Sequence, residues 1–191
     1  MTLNIQTAHQ VSEQALHELI THTLDKIIGP NYELITAQLP FDGNHILAMN
    51  VENRPVVISH DKDDGGMALL SGIAALEKLT SDSNLIYRSY PRLAEISPSS
   101  DDLLTTEAVQ LVILSPREVP GTMYLNKVLH NISFYTYHVL KINDDIGLYI
   151  ETSNSNDDEK YSINLQSAPQ AEFRTGRTNL SKEEELFFQE M

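Results

Sequence analysis

The chain has 191 residues, a length that suits one domain with a hydrophobic core of its own. It contains no cysteine, which excludes disulfide frameworks, zinc fingers, iron–sulfur clusters and cysteine hydrolases. Its formal charge of -14 argues against nucleic acid as a partner, because affinity for phosphates depends on lysine and arginine.

Membrane contact is also not expected from the sequence. No apolar run approaches the length that a bilayer requires, and residues 1–10 lack the basic and apolar regions of a signal peptide. The lysines and arginines are scattered singly rather than clustered. These features predict a cytoplasmic protein without a membrane or nucleic-acid partner.

The first half of the chain predicts a helix followed by three strands. Ser12 is a suitable helix N-cap, apolar residues then recur with helical spacing as far as Ile27, and Gly29-Pro30 ends the helix. The third strand has three consecutive apolar residues and should therefore be central and buried. The predicted strands span residues 32–39, 46–51 and 55–59.

A turn at residues 62–66 leads into a second helix. Residues 67–79 are rich in Ala and Leu, a composition that favours a helix packed on a sheet. Small side chains at Ser71, Gly72 and Ala75 suit close packing against that sheet or against a second subunit.

The second half predicts further strands and then a change in composition. A helix entry at 97–106 precedes an apolar strand at 109–114, and a hairpin follows, with strands at 134–142 and 147–151. Residues 152–170 are rich in Ser, Asn, Asp and Gln and predict a mobile connector. The predicted organisation is a domain over 1–151, this connector, and a helical tail over 171–191 that packs on the core or on a partner.

This element order predicts an α/β (α+β) sandwich around a mixed sheet. The segment from Glu13 to Leu79, with its helix, a hairpin carrying Asp42, a strand and an Ala-rich helix, resembles the restriction-endonuclease-like PD-(D/E)XK nuclease superfamily, especially its bacterial DNA-repair and uncharacterised branches. Residues 109–116 and 134–150 resemble the strands that follow that core. The resemblance implies a central mixed sheet flanked by helices.

The resemblance also implies a metal-dependent active site. In that family an Asp and a Glu hold magnesium ions that activate water, and a Lys assists the reaction. Asp42 matches the first acid, but Ser59 stands at the position of the Glu and Asp61 at that of the Lys. The metal ligands of an active protein would then be Asp42 and Asp61.

A register shift by one residue offers a second assignment. It places His60 and Lys62 at the two positions, at the cost of turning the apolar residues of the strand over. The catalytic candidates, if the protein is active, are therefore Asp42, Asp61, His60 and Lys62.

Each candidate also has an ordinary structural interpretation. Asp42 precedes Gly43-Asn44, a turn signature, and His60 is expected to be a strand-end residue that faces solvent. The acidic residues Asp61, Asp63 and Asp64 are compatible with an oxygen-rich metal site, but they are expected to form a solvated loop that caps the next helix.

Two functions of different classes follow. The preferred one is a catalytically lapsed nuclease-like domain, without a cofactor, that acts as a protein interaction or assembly module and self-associates as a homodimer. The alternative is a divergent metal-dependent nuclease or phosphodiesterase that uses Mg²⁺ or Mn²⁺. A third interpretation is that the nuclease resemblance is accidental in an ordinary α+β domain.

Overall fold

The computed structural model describes residues 5–7, 11–96, 103–122, 124–125, 129–142, 145–152 and 162–166. The helices in these residues are α1 (Glu13–His22), α2 (Leu24–Ile27), α3 (Gly65–Ser81), α4 (Ser83–Ser89) and α5 (Pro91–Ile96). The strands are β1 (Ile5–Thr7), β2 (Glu33–Thr36), β3 (Asn44–Met49), β4 (Pro55–His60), β5 (Gln110–Ser115), β6 (Ile132–Ile142), β7 (Asp145–Thr152) and β8 (Ser162–Gln166).

The strands form one mixed sheet. Its order is β2-β3-β4-β5-β6-β7-β8, with β1 paired to β6 beside this path. The pairs β4–β5 and β5–β6 are parallel, and the other pairs are antiparallel. One hydrophobic core joins one sheet face to α1 and α2, and a second core joins the opposite face to α3, α4 and α5. The predicted sandwich, a mixed sheet flanked by helices, is confirmed.

Helix α1 begins where the sequence predicted. The side chain of Ser12 accepts a hydrogen bond from the amide of Ala15 at 3.1 Å, so it satisfies one of the free N–H groups of the first turn. Leu16 and Ile20 bury their side chains on the sheet. The helical segment is interrupted at Thr23, continues as α2, and is followed by Gly29 with a φ of 89°.

Strand β4 is the buried central strand that its apolar run predicted. All six of its residues are buried between β3 and β5. Because side chains alternate along a strand, Val57 belongs to the core beneath α3, whereas Val56 and Ile58 belong to the core beneath α1.

Helix α3 packs closely on β4 and β5 because its inward residues are small. A Cβ atom added at Gly72 would lie 3.0 Å from Ile113 Cδ1 and 3.0 Å from Ser59 Cβ. The other buried residues of this face include Ala68 and Ala75. The predicted close packing against the sheet is therefore confirmed.

The chain after residue 96 agrees with the prediction in part. Strands β5, β6 and β7 lie where an apolar strand and a hairpin were predicted. Inside the predicted connector, however, Ser162–Gln166 forms strand β8, which pairs antiparallel with β7. Polar and apolar residues alternate in this segment, which is the period of a strand. The connector was predicted from its composition, which does not contain this period. The domain boundaries remain a prediction.

Three predicted segments lie outside the described residues, wholly or in part. They are the first residues of the helix entry, 97–102, the connector apart from 152 and 162–166, and the tail, 171–191. Among the residues that are described, no helix combines the length and apolar character needed to cross a bilayer.

Candidate functional site

The end of strand β4 is where the resemblance places catalytic residues. Ser59 and His60 are adjacent there and point to opposite faces of the sheet. Both are buried, with 0% and 1% of their surface exposed. The strand end therefore takes part in two separate contacts, one beneath each helical layer.

Ser59 connects the strand to α3. Its hydroxyl donates to the carbonyl oxygen of Ala68 at 2.8 Å and lies 3.3 Å from the hydroxyl of Ser71. A carboxylate at this position would face a helix carbonyl rather than a cation, since α3 covers this side of the strand. Ser59 thus has a structural hydrogen bond at the position where the resemblance implies a Glu.

His60 connects the strand to α1. Its Nε2 lies 2.8 Å from Nδ1 of His17, and the ring centroids are 5.1 Å apart. The prediction that His60 faces solvent is wrong, because α1 packs over the end of β4 and covers the ring. The other ring nitrogen, Nδ1, is buried without a hydrogen-bond partner among the described residues.

In the His17–His60 contact, His60 is a neutral imidazole because it is buried. The pKa of His60 is lowered from 6.5 to about 3, mainly by burial and to a lesser extent by the neighbouring His17 and His45, against a smaller opposite effect of Asp61. His60 is therefore uncharged at neutral pH. One imidazole of the pair donates the shared proton and the other accepts it.

The acidic residues after β4 bind the backbone. Asp61 Oδ1 accepts hydrogen bonds from the amides of Asp63 and Asp64, each at 2.8 Å. The Asp64 side chain in turn accepts from the amide of Gly66 and caps α3. The predicted capping role of this loop is confirmed.

Tyr137 on β6 fixes the loop from the other side. Its hydroxyl donates to the carbonyl oxygen of Asp61 at 3.0 Å. Burial raises the pKa of Tyr137, and the negative charges of Asp61 and Asp63 raise it further. The phenol therefore stays protonated and acts as a hydrogen-bond donor at neutral pH.

The remaining two candidates are on the surface. Asp42 is exposed, and its carbonyl oxygen lies 2.8 Å from Nε2 of the buried His45, which can donate to it. Gly43 follows with a φ of 106°, so the turn uses glycine where other residues would be strained. The Lys62 ammonium is half-exposed and lies 3.9 Å from the Asp63 carboxylate.

The donor set does not fit the magnesium or manganese site that the resemblance implies. At the end of β4 there are a hydroxyl and an imidazole, whereas both ions prefer carboxylate oxygens. One carboxylate oxygen of Asp61 is already bonded to two amides. Within the described ranges, no three His, Asp or Glu side chains are placed to hold a metal ion together. Metal binding by Asp42 and Asp61 remains a prediction.

Three polar residues near the end of β4 were not predicted from the sequence, and they are His17, Asn44 and Glu13. His17 lies beside the apolar positions Leu16 and Ile20, and this border position on the helix was the available signal. Asn44 donates to the Glu13 carboxylate at 2.6 Å and is paired with His60 across the strands. Contacts of this kind depend on how α1 docks, which no local pattern specifies.

Comparisons with known proteins give two similarities. No protein-family model matches the chain. The chain is 28% identical to the vacuolar protein sorting-associated protein 51 homolog of Dictyostelium discoideum over an alignment of 141 residues, which covers 71% of this chain. The chain spans only 15% of the length of that relative.

Among solved structures, the chain is similar to the crystal structure of a repair endonuclease from Pyrococcus abyssi. The TM-score is 0.36 and the sequence identity is 15%, over 68% of this chain and 48% of the other.

Proposed function

We propose that this chain is a catalytically lapsed nuclease-like domain that acts as a protein interaction or assembly module. The observation that carries the proposal is the outer face of α3, which presents three large apolar side chains to solvent. Met67 is 54% exposed, Leu70 is 65% exposed and Ile73 is 42% exposed. Exposed apolar surface of this kind is characteristic of interaction sites.

The nuclease-like part of the proposal rests on element order. Helix α1, strands β2 to β4, helix α3 and strand β5 follow the order that the resemblance implies. The lapse of activity is supported by the end of β4, where Ser59 binds a helix carbonyl and His60 is buried against His17. Neither side chain is available there to act on a phosphate.

The proposal is tested by assaying purified protein on single- and double-stranded DNA and RNA with Mg²⁺ or Mn²⁺. We expect no cleavage, and we expect no heat of binding when Mn²⁺ is titrated into the protein. Metal-dependent cleavage that Asp42→Asn abolishes would overturn the proposal. Glu52→Gln, an exposed acid in the turn at the other end of the β3–β4 hairpin, is the matched control.

The alternative is a divergent metal-dependent phosphodiesterase that uses Asp42 with Asp61, or His60 with Lys62. The strand register favours it in one respect. Because Asn44 pairs with His60, all four candidate residues lie at or next to the open end of the β3–β4 hairpin. Its decisive experiment is the same titration. Binding of Mn²⁺ that is lost in both Asp42→Asn and Asp61→Asn, but kept in Glu52→Gln, would support the enzyme.

A further inference from the structure

Helix α3 is apolar on both sides, which is unusual for a helix at the surface of a sandwich. The face on the sheet carries small residues such as Ala68, Gly72 and Ala75, whereas the large side chains of Met67, Leu70 and Ile73 point outward. A helix that is hydrophobic all round is normally buried on all sides. We call the three outward side chains together with the exposed Ala74 the α3 stripe.

The α3 stripe is also free of charge. No charged residue occurs between Asp64 and Glu77, although the chain as a whole carries a formal charge of -14. Two copies of so acidic a chain repel each other wherever their charged surfaces meet. This stripe, in contrast, lets a second copy approach without that repulsion.

The charges at the two ends of the stripe favour an antiparallel arrangement. At its start, the turn of residues 61–64 has three aspartates and one lysine, and beyond its end Glu77, Lys78 and the C-cap residue Asp82 carry one negative charge in sum. Antiparallel helices place the acidic turn of one copy beside the less acidic end of the other, whereas parallel helices bring both acidic turns together. A twofold axis through the stripe produces the antiparallel arrangement and buries the same patch on both copies.

We infer that the α3 stripe binds the α3 stripe of a second copy of this chain, so that the protein is a symmetric homodimer with α3 at its centre. This inference rests on the proposed function, because it names the partner of the proposed interaction module. It adds a specific surface and a specific symmetry to that proposal.

The inference is tested by measuring mass in solution with light scattering and sedimentation across a wide range of protein concentrations. We expect a species of twice the 21.5 kDa chain mass. Leu70→Glu should raise the dissociation constant of the dimer by about tenfold or more, because it places two like charges in an apolar contact. Val51→Glu is the matched control, since Val51 is 62% exposed and lies outside the helix.

A second measurement tests the symmetry. The native chain has no cysteine, so Leu70→Cys introduces a single thiol at the middle of the stripe. Under oxidation we expect a disulfide-linked dimer from this variant and no disulfide-linked dimer from Val51→Cys, because a disulfide needs Cα atoms within about 7 Å. Circular dichroism of Leu70→Glu should match that of the wild type, because the side chain of Leu70 is already exposed.

A wild-type protein that is monomeric at every concentration would overturn the inference. A dimer that Leu70→Glu leaves intact, or that Val51→Glu weakens equally, would also overturn it. These outcomes are distinct from failure of the proposed function, which the cleavage and manganese measurements decide independently of oligomeric state.

Discussion

The two helical layers are attached to the end of strand β4 by different kinds of contact. Beneath α3, the contact is close, because Gly72 allows the helix backbone to approach Ser59 and Ile113. Beneath α1, His60 fills the space and the imidazole of His17 meets it at 2.8 Å. Two adjacent residues of one strand are therefore held differently. Ser59 is held by close packing on one face of the sheet, and His60 is held on the other face by a contact that depends on its protonation state.

The largest effect is expected when the close contact is filled. Gly72→Val should lower the free energy of unfolding by about 2 to 3 kcal/mol, as is typical of overpacking in a core. The added side chain would start from a Cβ atom only 3.0 Å from two neighbouring atoms. Urea unfolding measures the loss.

Ala94→Val on α5 is the control for this substitution. Ala94 is exposed, so the only expected cost is the lower helix propensity of valine, less than about 1 kcal/mol. Equal losses for the two variants would show that the contact beneath α3 is not constrained by packing.

A smaller effect is expected at the imidazole contact when the pH is lowered. The pKa of His60 is about 3 in the folded protein and near 6.5 when unfolded, so below pH 6.5 the unfolded chain binds a proton that the folded protein does not. Stability is therefore fully present above pH 6.5 and is lost as the pH falls towards 3. At pH 5 the loss from this group should be about 2 kcal/mol.

Unfolding curves of His60→Leu across this pH range test the assignment. The variant should lose less stability on acidification than the wild type. Some dependence should remain, because burial also lowers the pKa of His45. His130→Leu, at an exposed position, should keep the wild-type slope. An unchanged slope in His60→Leu would contradict a neutral, buried His60.

The difference between these two contacts also explains what the sequence could predict. The buried strand β4 and the helix α3 follow from local patterns, an apolar run and a stretch rich in Ala and Leu. The capping loop is local too, since Asp61 binds amides two and three residues away. The burial of His60 is not local, because its partner His17 is 43 residues earlier in the chain. A residue at the end of a strand faces solvent or a helix according to how that helix docks.

The smallest effects are expected at the helix caps, one on each side of the sheet. Asp64 caps α3 and Ser12 caps α1, each through its side chain. Asp64→Ala and Ser12→Ala should each lower the free energy of unfolding by about 1 kcal/mol. Asp64→Asn should cost less than about 0.5 kcal/mol, because an asparagine still accepts the hydrogen bond of the cap and only the interaction with the helix dipole is reduced.

The Asp64→Asn variant also tests whether the loop of residues 61–64 is only a helix cap or also a metal site. If Asp64 acts only on the helix, thermal unfolding of Asp64→Asn with and without Mn²⁺ should show the same shift as the wild type, because asparagine preserves the cap. A shift that is present in the wild type and absent in Asp64→Asn would instead require a carboxylate that binds the ion. The charge of Asp64, rather than its hydrogen bond to the amide of Gly66, would then be what the loop contributes.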